Sequence, residues 1–194
     1  REAQALEAQG AKEINLVAQD LGHYGRDLGR QGPKLPELLE ALLAGTSVPW
    51  FRLLYVYSAG LTQHLVDLIA GEPRLVPYLD IPIQHASDRM LERMRRPERQ
   101  ATLREKLRWL RDTIPDVAIR TTCLVGFPGE REEEFRELLA FLEEAQFDRL
   151  GAFAYSPQDG TRAVQYADDV PDAAKRERLE ELLHHSLLTF FPPD

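Results

Sequence analysis

The residues best suited to chemistry lie where apolar, strand-like segments of the sequence end. Gln19 and Asp20 close one such segment and precede a loop rich in glycine. An amide and a carboxylate placed together can bind an ammonium or hydroxyl group of a small ligand. The alternative is that Asp20 caps a short helix beside a flexible loop, and the sequence leaves both interpretations open.

A second polar group, comprising Gln84, His85 and Ser87, stands where another strand-like segment gives way to a helix. Ser87 or its neighbour Asp88 could cap that helix, which is the commoner reason for such residues at this place. His85 has no cysteine or histidine partner at metal-ligand spacing. We therefore predict a hydrogen-bonding histidine rather than a metal ligand.

The segment IRTTCLVGFPGE, residues 119–130, is the most informative motif. Arg120 stands within an apolar strand, where a charge requires an anionic partner from the protein or from a ligand. The glycines of GFPGE let the backbone approach a flat ligand closely, and Glu130 is expected in the first turn of the next helix. The pattern matches neither a Walker loop nor a GxGxxG fingerprint.

Composition limits the class of protein. The chain has 194 residues, 43% of them hydrophobic, and a formal net charge of −8, which favours one globular domain over a dedicated nucleic-acid binder. No apolar run approaches the length that crosses a bilayer, and no signal peptide is expected. The single cysteine, Cys123, excludes a disulfide framework and a cysteine-rich metal site. We predict that it is a small core residue and that the protein works in a reducing, cytoplasmic setting.

Two charged runs have simple structural interpretations. The basic run at 93–99 is predicted to be a solvated helix end, with a docking surface for an acidic partner or RNA as the alternative. The acidic run at 130–139 is predicted to be an exposed helix face that turns Phe135, Leu138 and Leu139 to the core.

Alternating strands and helices are needed to position these candidates. Such units form parallel sheets with right-handed crossovers, either doubly wound or closed as a full or partial TIM-like barrel. Both arrangements place the chemistry at the carboxyl ends of the strands. The predicted strands cover 13–20, 50–58, 74–84, 117–127 and 147–156, and the predicted helices cover 2–9, 35–45, 61–71, 87–96, 100–113, 128–146 and 172–188.

Five strings, in this order, resemble the methylthiotransferase branch of the radical S-adenosylmethionine (SAM) enzymes. They are EINLVAQD, LLYVYS, YLDIPIQHASDRMLERMRR, IRTTCLVGFPGE and FDRLGAFAYSPQDGT. Within that branch, AQD, PIQHAS and IRTT resemble the RimO type, which modifies an aspartate of the small-subunit ribosomal protein uS12. The competing MiaB type modifies an isopentenyl-adenosine in transfer RNA.

The resemblance implies an α/β fold, a partial TIM-like (β/α) barrel of the radical SAM type with parallel strands and outer helices. It assigns residues 1–170 to this core and residues 171–194 to a carboxyl-terminal helix and tail leading towards an RNA-binding-like TRAM domain. Family members carry a CxxxCxxC loop that holds a 4Fe-4S cluster, and no such loop stands in this sequence. The sequence is therefore expected to be an interior part of the enzyme, with no metal ligands and no activity alone.

The implied reaction adds a methylthio group to the β-carbon of the uS12 aspartate. One SAM donates a methyl group to sulfur, and another, reduced by the cluster, supplies the radical that removes hydrogen from the substrate. The resemblance places three sets of residues around SAM: Gln19, Asp20 and Arg120 at its amino-acid end, Gln84 and Ser87 near its ribose, and Val125, Gly126, Phe127, Phe153 and Tyr155 around its adenine.

The expected partner is uS12 or the small ribosomal subunit, with no membrane and only indirect contact with nucleic acid. The full-length enzyme is expected to be a monomer. The chain alone is expected to self-associate through exposed apolar residues, either Leu53, Tyr55 and Tyr57 or Phe190 and Phe191. Two alternatives stay open: a transfer RNA substrate, and a non-catalytic barrel fragment that has lost its cluster.

Overall fold

The structure is a computed structural model that describes residues 1–29 and 31–190, with the side chains of residues 185–190 left out. Five strands are present: β1 (Glu13–Val17), β2 (Trp50–Leu54), β3 (Leu75–Asp80), β4 (Ala118–Val125) and β5 (Arg149–Ala154). They form one sheet in the order β1-β2-β3-β4-β5. β1 pairs with β2, β2 with β3 and β4 with β5, each in the parallel direction.

Helices alternate with these strands, as the sequence predicts. They are α1 (Glu2–Ala8), α2 (Leu35–Gly45), α3 (Gln63–Gly71), α4 (Asp88–Arg93), α5 (Gln100–Thr113), α6 (Glu132–Ala145) and α7 (Asp172–Phe190). Each corresponds to a predicted helix. Parallel strands with intervening helices confirm the predicted α/β class. Among the described residues, no helix combines the length and the hydropathy that a membrane span requires.

The strands end earlier than the sequence predicts. β2 stops at Leu54 because the next residue, Tyr55, has a φ of 60°, and the region before α4 is interrupted by Gln84 with a φ of 67°. A left-handed φ is incompatible with an extended strand and is uncommon for residues other than glycine. The polar residues after these strands therefore stand in loops.

The first compact unit contains Arg1–Ile81 and Arg108–Ile119, and thus β1, β2, β3 and the helices α1 to α3. In β2, Phe51 and Leu53 are buried, while the alternate residue Trp50 is exposed. The prediction of an exposed face at Leu53 is wrong, because β2 is an inner strand whose alternate residues face the core. Tyr55 is exposed as predicted, and Tyr57 is half-buried. Phe191 lies outside the described residues, as does the side chain of Phe190.

The second compact unit contains Pro82–Leu107 and Arg120–Asp194. Here β4 and β5 pair from Arg120 opposite Arg149 to Val125 opposite Ala154. α7 packs against β5 and α6. The domain boundary at residue 170 stays a prediction.

Helix α6 begins at Glu132, four residues later than predicted, so Glu130 precedes the helix. Glu134 Oε2 accepts a hydrogen bond from the Arg131 backbone N–H at 2.8 Å and thereby caps the first turn. A hydrogen bond from Arg89 lowers the pKa of the Glu134 carboxyl. Glu130 and Glu134 are both buried, so the prediction of a wholly exposed acidic face is wrong for these two residues. The predicted core positions, Phe135, Leu138 and Leu139, are confirmed as buried.

Candidate functional site

In the first unit, Asp20 is the N-cap of a short 3₁₀ helix, Leu21–His23. Its Oδ1 accepts a hydrogen bond from the Gly22 N–H at 2.9 Å and a longer one from the Tyr57 N–H at 3.4 Å. Its Oδ2 lies 3.2 Å from His23 Nε2. The capping role left open by the sequence is thus confirmed. The SAM contact stays a prediction.

The loops that follow β1 and β2 approach each other at two glycines. A Cβ atom added to Gly22 would lie 2.7 Å from Gly60 Cα, so the backbones could not come this close with any other residue at Gly22. Beside them is a cavity of about 500 Å³. Its lining residues are Ala18, Gln19, Asp20, His23 and Tyr57.

In the second unit, Gln84 is fixed by its backbone. Its N–H donates to the Thr122 carbonyl at 2.9 Å, and its carbonyl accepts from the Leu124 N–H at 2.8 Å. These bonds form a single parallel bridge between Gln84 and Cys123, alongside β4. The half-buried Gln84 side chain therefore starts from a rigid backbone, despite its left-handed φ.

His85 orients the residues that follow it. Its Nδ1 accepts hydrogen bonds from the backbone N–H groups of Ala86 at 2.9 Å and Ser87 at 3.0 Å. The prediction of a hydrogen-bonding histidine is confirmed. Ser87 is the N-cap of α4, but its side chain makes no capping hydrogen bond, and Asp88 Oδ1 instead accepts from the Gln100 N–H. The buried Ser87 side chain is therefore not used as a cap.

Arg120 is half-buried rather than buried, which corrects the premise that its charge lies inside an apolar strand. Residues of β4 alternate between two faces, and only one of them is fully covered. Its Nη1 donates a long hydrogen bond of 3.4 Å to Thr122 Oγ1. A Cβ atom on Gly151 would lie 3.0 Å from Arg120 Nη2, so this glycine leaves room for the guanidinium.

Aromatic residues gather at the ends of β4 and β5. Phe127 and Tyr155 make an edge-to-face contact, with ring centroids 5.2 Å apart. The Tyr155 N–H donates to the Val125 carbonyl at 2.8 Å, which joins the two strand ends. Phe153 is 60% exposed, whereas Val125 is fully buried. A cavity of about 400 Å³ lies here, lined by Leu124, Phe127, Ala154, Tyr155, Ser156, Gln158, Thr161 and Ala163.

Helix α7 contributes a lysine that the sequence patterns do not single out. A Cβ atom on Gly126, whose φ is 71°, would lie 2.4 Å from Lys175 Cγ. Lys175 Nζ lies 2.6 Å from Asp168 Oδ2 and 5.4 Å from the centroid of the Tyr155 ring. Burial alone would lower the pKa of Lys175, but the hydrogen bonds and negative charges of Asp168 and Asp172 outweigh burial and raise it.

A buried ion pair stands behind the GFPGE loop. The Glu130 side chain is fully buried, and its Oε2 accepts from the Gly126 N–H at 3.0 Å. Arg178 Nη1 donates to Glu130 Oε1 at 2.9 Å and to the Glu130 carbonyl at 3.2 Å. His85 Nε2, also fully buried, lies 3.5 Å from Glu130 Oε2. On α7, Lys175 and Leu182 are buried and Arg178 is half-buried. Their spacing of three and four residues puts them on one face of the helix, and this spacing is the one signal that the sequence offers.

Two arginines of α4 also hold this loop. Arg89 Nη2 donates to the Gly129 carbonyl, and Arg93 Nε donates to the Pro128 carbonyl, both at 2.6 Å. The Arg93 guanidinium lies 4.4 Å from the centroid of the Tyr166 ring. Arg93, the first residue of the basic run at 93–99, therefore has structural contacts. The prediction that the run is a solvated helix end does not account for this residue.

Cys123 is completely buried, as predicted, and burial strongly raises the pKa of its thiol. Within the described residues, no group of three or more His, Cys, Asp or Glu side chains could hold a metal ion. An iron–sulfur cluster does not fit the donors described in this chain. The aromatic cavity beside Phe127 and Tyr155, in contrast, is lined by two aromatic rings together with apolar and polar side chains.

The predicted SAM residues thus fall into two groups. Gln84, Ser87, Arg120, Val125, Gly126, Phe127, Phe153 and Tyr155 belong to the second unit, while Gln19 and Asp20 belong to the first. Within the second unit, Gln84 is joined to β4, and Val125 is joined to Tyr155 by direct hydrogen bonds. Contact of any of these residues with SAM stays a prediction.

Comparison with known sequences gives a consistent result. Residues 1–142 match the family model of the Radical SAM superfamily. A curated relative from Geobacter sulfurreducens, named ribosomal protein uS12 methylthiotransferase RimO, is 51% identical over 182 residues, which are 94% of this chain and 40% of that protein. A relative of the same name from Desulforudis audaxviator is 53% identical over 180 residues, which are 93% of this chain and 40% of that protein. The chain thus spans about 40% of the length of these relatives.

Solved structures match the fold. Coproporphyrinogen III oxidase (HemN) from Escherichia coli, a radical SAM enzyme, aligns with a TM-score of 0.65 and 14% identity, covering 96% of this chain and 42% of that one. The radical SAM methyltransferase TsrM from Kitasatospora setae aligns with a TM-score of 0.60 and 16% identity, covering 79% of this chain and 29% of that one. Identities this low show the fold alone, and that fold is the one the sequence predicts.

Proposed function

Because the chain belongs to the Radical SAM superfamily, we propose that it forms the SAM-binding core of a methylthiotransferase that acts on an aspartate of ribosomal protein uS12. The observation that carries this proposal is the 51% identity, over 94% of the chain, to a relative named for that activity. The substrate, the partner and the complete reaction belong to proteins more than twice as long as this chain, and all three are therefore part of the proposal.

The aromatic cavity of the second unit supports an adenine-binding role. Phe127 and Tyr155 provide aromatic walls, and Phe153, two residues before Tyr155 in the chain, is exposed on β5. Gly126 is proposed to flank the adenine through its backbone, while the Lys175 side chain of α7 fills the space beside its Cα. In this proposal these residues bind and orient the adenosine and exclude water from it.

Three polar positions of the second unit support contacts to the rest of SAM. Gln84 extends from a backbone fixed to β4, and the Ser87 hydroxyl is not used as a helix cap. In this proposal both bind the ribose. Arg120, held over Gly151, binds the SAM carboxylate through its planar pair of donors. Gln19 and Asp20 are proposed to contact the methionine end.

The chemistry that SAM and a 4Fe-4S cluster supply when bound is one-electron cleavage of SAM. The described residues offer no ligand set for the cluster. The role proposed for this chain is to hold SAM at a fixed orientation near one substrate C–H bond. We also propose a cytoplasmic setting, which a ribosomal substrate and the single cysteine of this chain support. The full-length enzyme is proposed to be a monomer.

A chimera tests the proposed activity. This chain would replace the matched 182 residues of the Geobacter sulfurreducens relative, in cells that lack their own uS12 methylthiotransferase. Mass spectrometry of uS12 should then show a methylthio group on one aspartate. A methylthio group on transfer RNA instead would identify the other substrate class, and neither modification, from a chimera with intact clusters, would favour a non-catalytic binding module.

Arg120→Lys in the same chimera tests the proposed carboxylate contact. The lysine keeps the charge but loses the bidentate fork, and SAM affinity should fall by roughly tenfold, within the range of one charge-assisted hydrogen bond. Arg149→Lys is the matched control, because Arg149 stands opposite Arg120 in the register of β4 and β5. Unchanged SAM affinity with a lower melting temperature would show that Arg120 has a structural role instead.

A further inference from the structure

We propose that His85, Glu130 and Arg178 form a buried relay of positioning residues, through which α7 sets the geometry of the two loops that flank the SAM site. No side chain of the relay is assigned a contact with SAM, so none is a catalytic residue. The link to SAM rests on the proposed function. The relay itself rests on burial and hydrogen bonds within the second unit.

The first arm of the relay is the acceptor side of His85. Two backbone N–H groups, from Ala86 and Ser87, point at Nδ1 at 2.9 and 3.0 Å. An atom that accepts two hydrogen bonds cannot carry a proton of its own, so the ring must carry its proton on Nε2. Nδ1 thereby fixes the turn that leads from Gln84 to Ser87 into α4.

The second arm is the donor side of the same ring. Nε2 is fully buried and has no hydrogen-bond partner in this structure, yet it faces Glu130 Oε2 at 3.5 Å. A buried N–H without a partner is costly, and the fully buried carboxylate is the acceptor aimed at it. A shift of a few tenths of an ångström would complete a hydrogen bond. The His85 Nε2–H group and the Glu130 carboxylate are therefore assigned as donor and acceptor.

Glu130 transmits this position to the second loop. The same oxygen that faces His85 accepts from the Gly126 N–H at 3.0 Å, at the start of GFPGE. A single carboxylate oxygen thus contacts both loops, the one before α4 and the one after β4. Displacing it would move Ser87 and Gly126 relative to each other.

Arg178 anchors the carboxylate from α7. Its guanidinium binds both the side chain and the backbone carbonyl of Glu130, and only 12% of the Arg178 side chain is exposed. An ionised carboxylate at full burial requires such a partner. The helix that the sequence predicts to lie after the core is, by this contact, part of the support of the site.

The tautomer of His85 tests the relay without any ligand. Long-range proton–nitrogen correlation spectra of the chain should show a non-protonated Nδ1 and a protonated Nε2 for His85. Hydrogen exchange should show protected amides at Ser87 and Gly126, and both should lose protection in Glu130→Leu, which keeps most of the side-chain volume and removes both acceptor oxygens. A protonated Nδ1, or unchanged protection in that variant, would overturn the relay.

Two substitutions of His85 separate its arms. Asparagine places an oxygen near the position of Nδ1, whereas glutamine places its amide near Nε2 and leaves the Ala86 and Ser87 N–H groups without an acceptor. His85→Gln should weaken SAM binding by roughly tenfold, the scale of one or two lost hydrogen bonds, and His85→Asn should retain most of it. Equilibrium dialysis with radiolabelled SAM measures the SAM affinity of both variants.

Leu138→Ala is the matched control, because Leu138 is fully buried on α6 and is not part of the relay. It should lower the melting temperature at least as much as His85→Gln while leaving SAM affinity unchanged. Equal SAM affinity in wild type and His85→Gln would overturn the positioning role. A wild-type chain that binds no SAM at all would count against the proposed function, while the tautomer and exchange data would still decide the relay.

Discussion

At the residue scale, Gly126 combines two demands on one position. Its φ of 71° disfavours any side chain, and an added Cβ would lie 2.4 Å from Lys175 Cγ. Gly126→Ala should therefore lower the free energy of unfolding by about 2 kcal/mol, the sum of a backbone and a steric cost. Urea denaturation followed by circular dichroism measures the change.

Gly160→Ala is the control for Gly126, since Gly160 has a similar φ of 80° but nothing within 4 Å of an added Cβ. It should show only the backbone cost, about 1 kcal/mol. The difference between the two variants isolates the contact with Lys175. Equal losses would mean that the Lys175 side chain moves aside without cost.

Cys123 gives a pH-dependent prediction. Burial raises the pKa of its thiol above the ordinary value of 9.0, so above about pH 9 the unfolded chain releases a proton that the folded chain keeps. Stability contributed by this group is thus complete below pH 9 and falls as the pH rises further. Denaturation midpoints at pH 8 and pH 10 should show a smaller decline in Cys123→Ala than in wild type.

The pKa of Lys175 is raised from 10.5, so its contribution to the free energy of unfolding also falls at high pH. This loss is the same in wild type and in Cys123→Ala, and it cancels when the two are compared. The same burial makes the thiol slow to react with Ellman's reagent until the protein unfolds. A rapid reaction of the native protein would contradict the burial of Cys123.

At the element scale, a single arginine closes the carboxyl end of α2. Arg74, just before β3, donates to the carbonyls of Leu43, Thr46 and Val48 at 2.7–2.9 Å. Because the last carbonyls of a helix have no partner within it, Arg74→Lys should lower the free energy of unfolding by about 2 kcal/mol. Chemical denaturation measures this loss.

Arg52→Lys is the control for Arg74. Arg52 also lies in the first unit, and it pairs with Glu13 at a half-exposed position. Arg52→Lys should lower the free energy of unfolding by less than about 1 kcal/mol, as expected for an exposed ion pair. Comparable losses of unfolding free energy in the two variants would show that Arg74 stabilises the fold through its charge and not through its three hydrogen bonds.

The existence and type of the elements could be predicted from the sequence, while their ends could not. Apolar runs identified all five strands and leucine spacing identified the helices between them. The residues that stop the strands, Tyr55 and Gln84, adopt left-handed backbones that no propensity favours in these residue types. Hydrogen bonds to residues distant in the chain stabilise those conformations, and the local sequence pattern carries no information about such bonds.

At the scale of the whole molecule, the candidate site could be predicted only as far as strand ends and loops define it. Lys175 and Arg178 stand on a helix whose sequence is rich in charge. Lys175 is buried and Arg178 is half-buried because the helix packs against β5 and α6. Glu130 was expected at a helix start, but it is instead buried behind the loop. The pairing of Arg178 with Glu130 joins segments far apart in the chain, so it can be found only from the folded structure.

Apolar side chains on the sheet predict how the whole chain behaves in solution. Val17 on β1 is 64% exposed, Trp50 on β2 is 53% exposed and Phe153 on β5 is 60% exposed. β1 and β5 are the first and last strands of the sheet order, and unpaired strand edges with apolar residues promote association. We therefore expect the 194-residue chain to self-associate as its concentration rises.

Light scattering over a concentration series tests this expectation, with Val17→Lys as the informative variant. A lysine on an edge strand opposes pairing with a second chain, so the apparent mass at high concentration should fall towards that of a monomer. Leu183→Lys is the control, because Leu183 is an exposed apolar residue on α7 and not on a strand. A wild-type chain that stays monodisperse and monomeric, with a steep unfolding transition at high denaturant, would show that β1 is not a site of association.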